Sequence, residues 1–165
     1  MDSRALITRC TGLAYRGLGQ SNMDYYQKSA GAGQCRIAEA MEAGKVLKCI
    51  DDQRPIVRVW LLYAYSAVPE VDGMGEITTH LWGVGGDTRN PERLLAVLNE
   101  VAKEKALRVR GRTPRSRAAM AASVGIKRQH WARDWMRHEI AAMDELARLD
   151  NEGLEAVETM VAERR

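Results

Sequence analysis

The chain has 165 residues, 45% of them hydrophobic, which suits one modest folded domain and excludes an intrinsically disordered chain. The net charge of +3 is unevenly distributed: residues 1–100 carry 11 Lys+Arg against 12 Asp+Glu, residues 101–137 carry 11 against 2, and residues 138–165 carry 3 against 8. Positive charge is therefore concentrated between residues 101 and 137, as a phosphate-binding element requires.

The first predicted segment, residues 1–68, is an N-terminal helical core. A helix capped by Ser3 is predicted to end near residue 18, where two glycines follow. A second helix is predicted over residues 34–48, with Met41 on its inner side. The third has Pro55 near its start, where the missing N–H does no harm. Since this helix is apolar around most of its surface, we expect it at the centre of the core.

Residues 69–90 form the second predicted segment, a long glycine-rich insertion loop. The segment "PEVDGMGEITTHLWGVGGDTRN" holds five glycines and only a brief β-like run, Ile77–Trp82, with room for a small hairpin. Loops of this length are uncommon inside compact domains and often carry function, although an unconstrained surface connection is an equal alternative.

The third predicted segment, residues 91–165, contains a helix from Pro91 to about residue 107, then a cationic stretch, then a helical tail. The inner side of the first of these helices is predicted to comprise Leu94, Leu95, Leu98, Val101 and Ala102. The tail, from about Met136, carries an apolar stripe from Ile140 to Val161, and Gly153 is predicted to divide it. Its stripe can pack on the core or pair two chains as a homo-oligomer.

Residues 113–137 carry the signature of a helix-turn-helix. Thr113 and Pro114 form an N-cap and N1 pair, and Gly125 suits a turn that needs a positive φ. Apolar residues flank the turn on both sides and pin it to the core: Met120, Ala121, Val124, Ile126, Trp131 and Trp135.

The outer face of the second helix predicts contacts to DNA. Arginine and lysine fit guanine O6/N7, and glutamine fits adenine N6/N7. The predicted base-contacting residues are Lys127, Arg128, Gln129, His130 and Arg133, and the predicted phosphate-contacting residues are Arg112, Arg115, Arg117 and Arg137. Asp134 stands where such helices usually carry an aliphatic residue, which suggests a register rotated by one position. The alternative is an amphipathic hairpin with a solvated basic face.

The pattern "AAMAASVGIKRQHWARDWMRHEIAAMDEL", with the upstream helix "RPIVRVWLLYAYSAV", resembles the late-gene antiterminators of phages of the Q class and related prophage regulators of lysis genes. The resemblance covers roughly residues 34–150. It implies binding to a DNA element overlapping a late promoter, contact with RNA polymerase paused with its σ factor, and passage through terminators as the RNA exit channel narrows. The matching DNA-contacting positions are Lys127, Arg128, Gln129, His130 and Arg133. Candidates for the polymerase-binding surface, by elimination, are the 69–90 loop and the first hundred residues.

Catalytic and metal sites are not predicted. "GVGGDTRNP" lacks the GxxxxGK[ST] pattern of a phosphate-binding loop, and Asp51 with Asp52 is more simply explained by helix capping. Some members of the Q class carry a cysteine-rich zinc element in the insertion, but residues 69–90 contain no cysteine. The three cysteines, at unrelated spacings, predict neither a disulfide framework nor an ordinary zinc site. No cofactor is expected.

These observations predict an all-α, cytoplasmic, non-enzymatic DNA-binding regulator, without a membrane span. The favoured function is transcription antitermination through promoter DNA and RNA polymerase. Two alternatives stay open: a repressor or activator that acts only at initiation from an operator, and a basic helical protein-interaction module.

Overall fold

Helices make up all the regular structure in the described residues, which confirms the all-α prediction. The structure is a computed structural model that describes residues 3–19, 33–66, 73–85 and 90–163, with side chains at 3–11, 41–66, 73–85 and 90–163. The helices are α1 (Ser3–Gly19), α2 (Gly33–Asp51), α3 (Pro55–Tyr65), α4 (Met74–Gly85), α5 (Pro91–Val109), α6 (Arg117–Ser123), α7 (Arg128–His130) and α8 (Met136–Ala162), and a π-helical segment (Trp131–Trp135) joins α7 to α8. None of these described helices is both long and apolar enough to cross a lipid bilayer.

The α3 helix lies in the core, as predicted, and packs closely on α8. Its buried residues are Val57, Trp60, Leu61, Ala64 and Tyr65. The close approach depends on Gly153 of α8, because a Cβ there would lie 2.5 Å from Leu61 Cδ1. The prediction that Gly153 divides the tail was wrong, since α8 continues from Met136 to Ala162. Here glycine permits helix packing and does not end the helix.

One hydrophobic cluster contains residues from all three predicted segments, including Ile7, Ile77 and Leu146. Three side chains predicted to face inward are instead exposed: Met41, Leu95 and Ile140. The physical reason at the last two positions is that a neighbour takes the inner place. Leu94 is buried beside Leu95 and Glu139 beside Ile140, and successive helical positions cannot share one face.

The prediction of a loop over residues 69–90 was wrong between Met74 and Gly85, which form α4. Its buried residues Ile77, Thr78 and Leu81 recur at helical spacing and pack into the core. Gly75 and Gly83 suggested a loop, but both lie on the exposed side of α4, where a helix tolerates glycine at a cost of about 1 kcal/mol. Residues 69–72 and 86–89 of the predicted loop lie outside the described residues.

The prediction that Asp51 or Asp52 caps α3 was also wrong. Asp51 is the last residue of α2, and the Asp52 carboxylate accepts a hydrogen bond from Lys48 Nζ at 2.9 Å. The N-cap of α3 is Arg54, whose side chain makes no capping bond, and Pro55 opens the helix as expected. Because proline has no N–H, the first turn of this helix has one fewer unpaired donor to satisfy.

A buried carboxylate on α8 ties α8 to α1 and α3. Asp150 accepts hydrogen bonds from Tyr65 Oη at 2.7 Å, Trp60 Nε1 at 3.2 Å and Arg4 Nη2 at 3.3 Å. Buried carboxylates are tolerated when hydrogen bonds and an opposite charge compensate their lost hydration. This cluster therefore fixes how α8 lies on the core.

A second carboxylate on α8, Glu145, is paired with an arginine of the same helix and with a histidine of α4. Arg148 donates to it from Nη2 at 2.6 Å and from Nε at 2.8 Å, and His80 Nε2 of α4 lies 2.6 Å from its Oε1. The hydrogen bond from Arg148, with a smaller contribution from His80, outweighs partial burial and lowers the pKa of Glu145 to about 2.

Candidate nucleic-acid interface

The tract between α5 and α6 has no regular secondary structure up to Ser116, so the first helix of the predicted motif begins later than expected. Thr113 and Pro114 do not open it. Instead Ser116 is the N-cap, and its Oγ accepts a hydrogen bond from the backbone N–H of Ala119 at 3.2 Å. The backbone N–H of Arg115 donates to a carboxylate of α5 at 3.0 Å. This contact holds the tract against α5 and accounts for the later start.

The turn after α6 is built as predicted. Gly125 has φ = +67°, a conformation that costs an L-residue with a side chain about 1–2 kcal/mol. The N–H of Ile126 donates to Ala121 O at 2.8 Å and the N–H of Gly125 to Ala122 O at 3.1 Å, which satisfies the carbonyls at the end of α6. Ile126 is buried, and Lys127 is the N-cap of α7. We call residues 117–135 the helix-turn-helix segment.

Two tryptophans fix the second helix of this segment, as predicted from the sequence. Trp131 is 1% exposed and Trp135 is also buried. Residues 131–135 are π-helical, so hydrogen bonds span five residues and the turn is wider than in an α-helix. Trp135, four positions after Trp131, lies on the core side in either helical geometry, and the wider turn carries Asp134 farther from that side, where it is exposed. This geometry is the physical reason for the shifted register noted in the sequence.

The buried Glu139 of α8 connects both helices of the segment. Its carboxylate accepts a hydrogen bond from Trp131 Nε1 at 2.7 Å and a bifurcated hydrogen bond from the single Nε–H of Arg117, with distances of 2.9 and 3.0 Å to the two carboxylate oxygens. Trp131 belongs to the second helix and Arg117 to the first. Glu139 therefore fixes the position of each helix relative to α8.

Two buried carboxylates on α5 hold the other side of the segment. Glu104 accepts from Arg115 Nε at 3.1 Å, and Glu100 accepts from Arg115 Nη1 at 3.0 Å and from Ser123 Oγ at 2.7 Å. Burial acts to raise the pKa of Glu100, but hydrogen bonds from Ser123, Lys103 and Arg115 together outweigh it and lower that pKa. The tract before α6 and the last residue of α6 are thus both tied to α5.

A family model described as phage antitermination protein Q matches residues 42–165. The chain belongs to this antitermination family. Comparison with curated proteins and with solved structures gave no significant match. The Q family is a family of transcription regulators of phage origin and is not an enzyme class, and the match confirms the resemblance found in the sequence.

In this Q-family chain, the predicted base-contacting side chains lie outside the core. Four are exposed and His130 is half-buried; the exposed ones are Lys127, Arg128, Gln129 and Arg133. Among the described residues, no side chain pairs with the first three of these, whereas Arg133 pairs with the neighbouring Asp134. A run of three long polar side chains is therefore available at the start of the second helix.

The predicted phosphate-contacting arginines are in two different environments. Arg112, Arg117 and Arg137 are exposed, although Arg117 also binds Glu139. Arg115 does not fit the predicted phosphate contact, because its Nε and Nη1 donate to buried carboxylates and its Nη2 is buried. It holds the segment in place instead.

Three acids that hold the segment, Glu100, Glu104 and Glu139, were not predicted from the sequence. A signal was present for the first two, since they continue the apolar stripe of α5 at helical spacing from Val97 and Val101. A charged residue on an inward stripe predicts a buried partner of opposite charge.

In the described parts of this Q-family chain, no three His, Cys, Asp or Glu side chains are grouped closely enough to hold a metal ion.

Proposed function

We propose that this Q-family protein binds double-stranded DNA at a promoter-proximal element through α7 and the adjoining π-helical segment. From there it loads onto RNA polymerase paused with its σ factor and lets the enzyme read through terminators. The observation that carries the DNA-binding step is the exposed, cationic start of the second helix behind the Gly125 turn. Helix-turn-helix proteins read bases with the N-terminal residues of that helix.

The base contacts are assigned by side-chain chemistry. An arginine or lysine donates to guanine O6/N7 and a glutamine pairs with adenine N6/N7, so we assign base edges to Lys127, Arg128, Gln129, His130 and Arg133. Phosphate contacts orient such a helix but carry no sequence information, and we assign them to Arg112, Arg117 and Arg137.

Rigid support of the second helix favours sequence-specific binding of DNA over non-specific electrostatic binding. Hydrogen bonds from the Trp131 indole to Glu139 and from Ser123 to Glu100 hold the segment on α8 and α5, and backbone hydrogen bonds fix the turn itself. A reading helix fixed in this way loses less conformational freedom on binding.

The proposal is tested by transcription in vitro through a terminator placed far downstream of a promoter with a promoter-proximal pause. We expect purified protein to raise read-through, and the Arg128→Ala/Arg133→Ala double variant to lose this effect. Arg58→Ala, at an exposed arginine of α3, is the matched control and should keep it. An effect confined to initiation would contradict antitermination and favour the operator-binding alternative.

DNA binding is measured separately on the same proteins. If several phosphates are contacted, the logarithm of the binding constant should fall steeply as the logarithm of salt concentration rises. Binding that barely responds to salt would contradict the DNA-binding step and favour a protein-interaction module.

A further inference from the structure

Asp134 and Arg133 form a side-on ion pair in the middle of the π-helical segment. Arg133 Nε donates to Asp134 Oδ1 at 2.7 Å and Arg133 Nη2 donates to Asp134 Oδ2 at 2.9 Å. The two bonds fix the plane of the guanidinium, because a carboxylate and a guanidinium joined by two parallel bonds are coplanar. The pair lies at the surface, with side chains 71% and 41% exposed.

The side-on geometry leaves one edge of the guanidinium open. Arginine has five N–H donors in a rigid fork, and the pair uses only the Nε–H and one Nη2–H. The remaining Nη1 and Nη2 hydrogens form the end-on fork, which is the edge that fits guanine O6/N7. Asp134 therefore holds Arg133 without occupying the edge that would read a base.

A carboxylate in this place carries an electrostatic cost for DNA binding. Asp134 and Glu104 are the two acids among residues 101–137, and Glu104 is fully buried. Asp134 is thus the one acid of that stretch exposed beside the phosphate-binding cations, where it repels any duplex. Exposed ion pairs also contribute little to folding, so stability does not account for the residue.

We infer that Asp134 is a specificity-determining residue that orients Arg133 toward a guanine in the major groove. This inference rests on the proposed function, since it requires the second helix to bind DNA. It differs from a simple competition, in which Asp134 would only withhold Arg133 from phosphates. In the orienting role, the charge of Asp134 lowers affinity for random duplex, and the fixed guanidinium raises discrimination at one base pair. In simple competition, affinity falls and discrimination does not change.

The test uses a duplex selected by the full-length wild-type chain from a randomised library, and a panel of its single-base-pair variants. We expect Arg133→Ala to reduce discrimination at one G·C pair by roughly 5- to 140-fold, which corresponds to about 1–3 kcal/mol for a bidentate contact. Asp134→Ala should reduce discrimination at the same pair while its affinity for random duplex stays equal or rises. In the Arg133→Ala background, Asp134→Ala should cause no further loss of discrimination.

The control is Asp144→Ala, which removes one exposed acid of α8 outside the segment and should leave discrimination unchanged. If Asp134→Ala raises affinity equally for every duplex and keeps full discrimination, the orienting role is overturned. If discrimination is lost at every position together, a general disturbance of the segment replaces the inference. Failure of the wild-type chain to bind any duplex would instead overturn the proposed function itself.

Discussion

Replacing Glu139 by alanine should destabilise the protein by about 1–4 kcal/mol. The variant removes the acceptor of Trp131 Nε1, and Trp131 is 1% exposed, so its N–H would be buried without a partner, at a cost of about 1–3 kcal/mol. It also removes the partner of Arg117, whose side chain is 54% exposed and would regain water, at a cost of about 0–1 kcal/mol.

Glu139→Gln separates the two contributions. The glutamine carbonyl oxygen still accepts from Trp131, while the ion pair with Arg117 is lost. We therefore expect a change of about 0–1 kcal/mol, well below that of Glu139→Ala. Glu155→Ala, at an exposed position of the same helix α8, is the matched control for losing a glutamate side chain and should change stability by less than about 0.5 kcal/mol.

Urea unfolding followed by tryptophan fluorescence measures these differences, provided that the m-value is equal among the variants. The reasoning would be refuted if Glu139→Ala unfolded at the wild-type midpoint. It would also be refuted if glutamine proved as costly as alanine, because the hydrogen bond to the indole would then not be the main contribution.

Three further predictions concern glycines and pH. Gly153→Ala should lower the free energy of unfolding by about 1–3 kcal/mol through overpacking, because its Cβ would lie 2.5 Å from a leucine of α3. Gly44→Ala, which faces open space on α2, should raise the free energy of unfolding by up to about 1 kcal/mol. Equal effects of the two variants in urea unfolding would disprove the packing argument. Gly125→Ala should lower the free energy of unfolding by about 1–2 kcal/mol because of the positive φ at this position, and Gly125→Asn should lower it less. Thermal unfolding that ranks the two variants in the opposite order would contradict the turn geometry. The pKa of Glu145 in the folded state is about 2, compared with a usual value of 4.5. Its carboxylate therefore stabilises the fold above about pH 4.5, and this contribution is lost as the pH falls toward 2. Chemical denaturation across that window should therefore show a smaller loss for Glu145→Gln than for wild type, and identical losses would rule out this linkage.

The features predicted correctly from sequence depend on nearby residues. The apolar surface of α3 follows from its own composition, and the Gly125 turn from one residue that accepts a positive φ. The two tryptophans lie four positions apart, a spacing that predicts a shared inner face in any helical geometry. Such patterns can be recognised in a single sequence because the residues that cause them lie within one or two helical turns of each other.

The α4 helix was not predictable in this way. Gly75 and Gly83 reduce its intrinsic helix propensity, and packing of Ile77 and Leu81 on the core provides the compensating free energy. Tertiary packing routinely overrides propensity, and a single sequence does not show which surface would receive those side chains.

The acids that hold the helix-turn-helix segment depend on contacts distant in sequence. Glu139 meets Arg117 across 22 positions, and Glu100 meets Ser123 across 23. Their pairing could be recognised only once α5, α6 and α8 had been placed together. The role of Arg115 changes for the same reason: a cation in a basic stretch suggests phosphate until its buried carboxylates are known.

The central claim is that the exposed start of the second helix lies against DNA. Its most direct test is photo-crosslinking of full-length protein to the selected duplex, with a photoreactive residue at position 129 and, as a control, at position 41, which is exposed on α2. We predict a DNA adduct from position 129 and none from position 41. An adduct from position 41 with none from position 129, in a protein that still binds the duplex, would contradict the account.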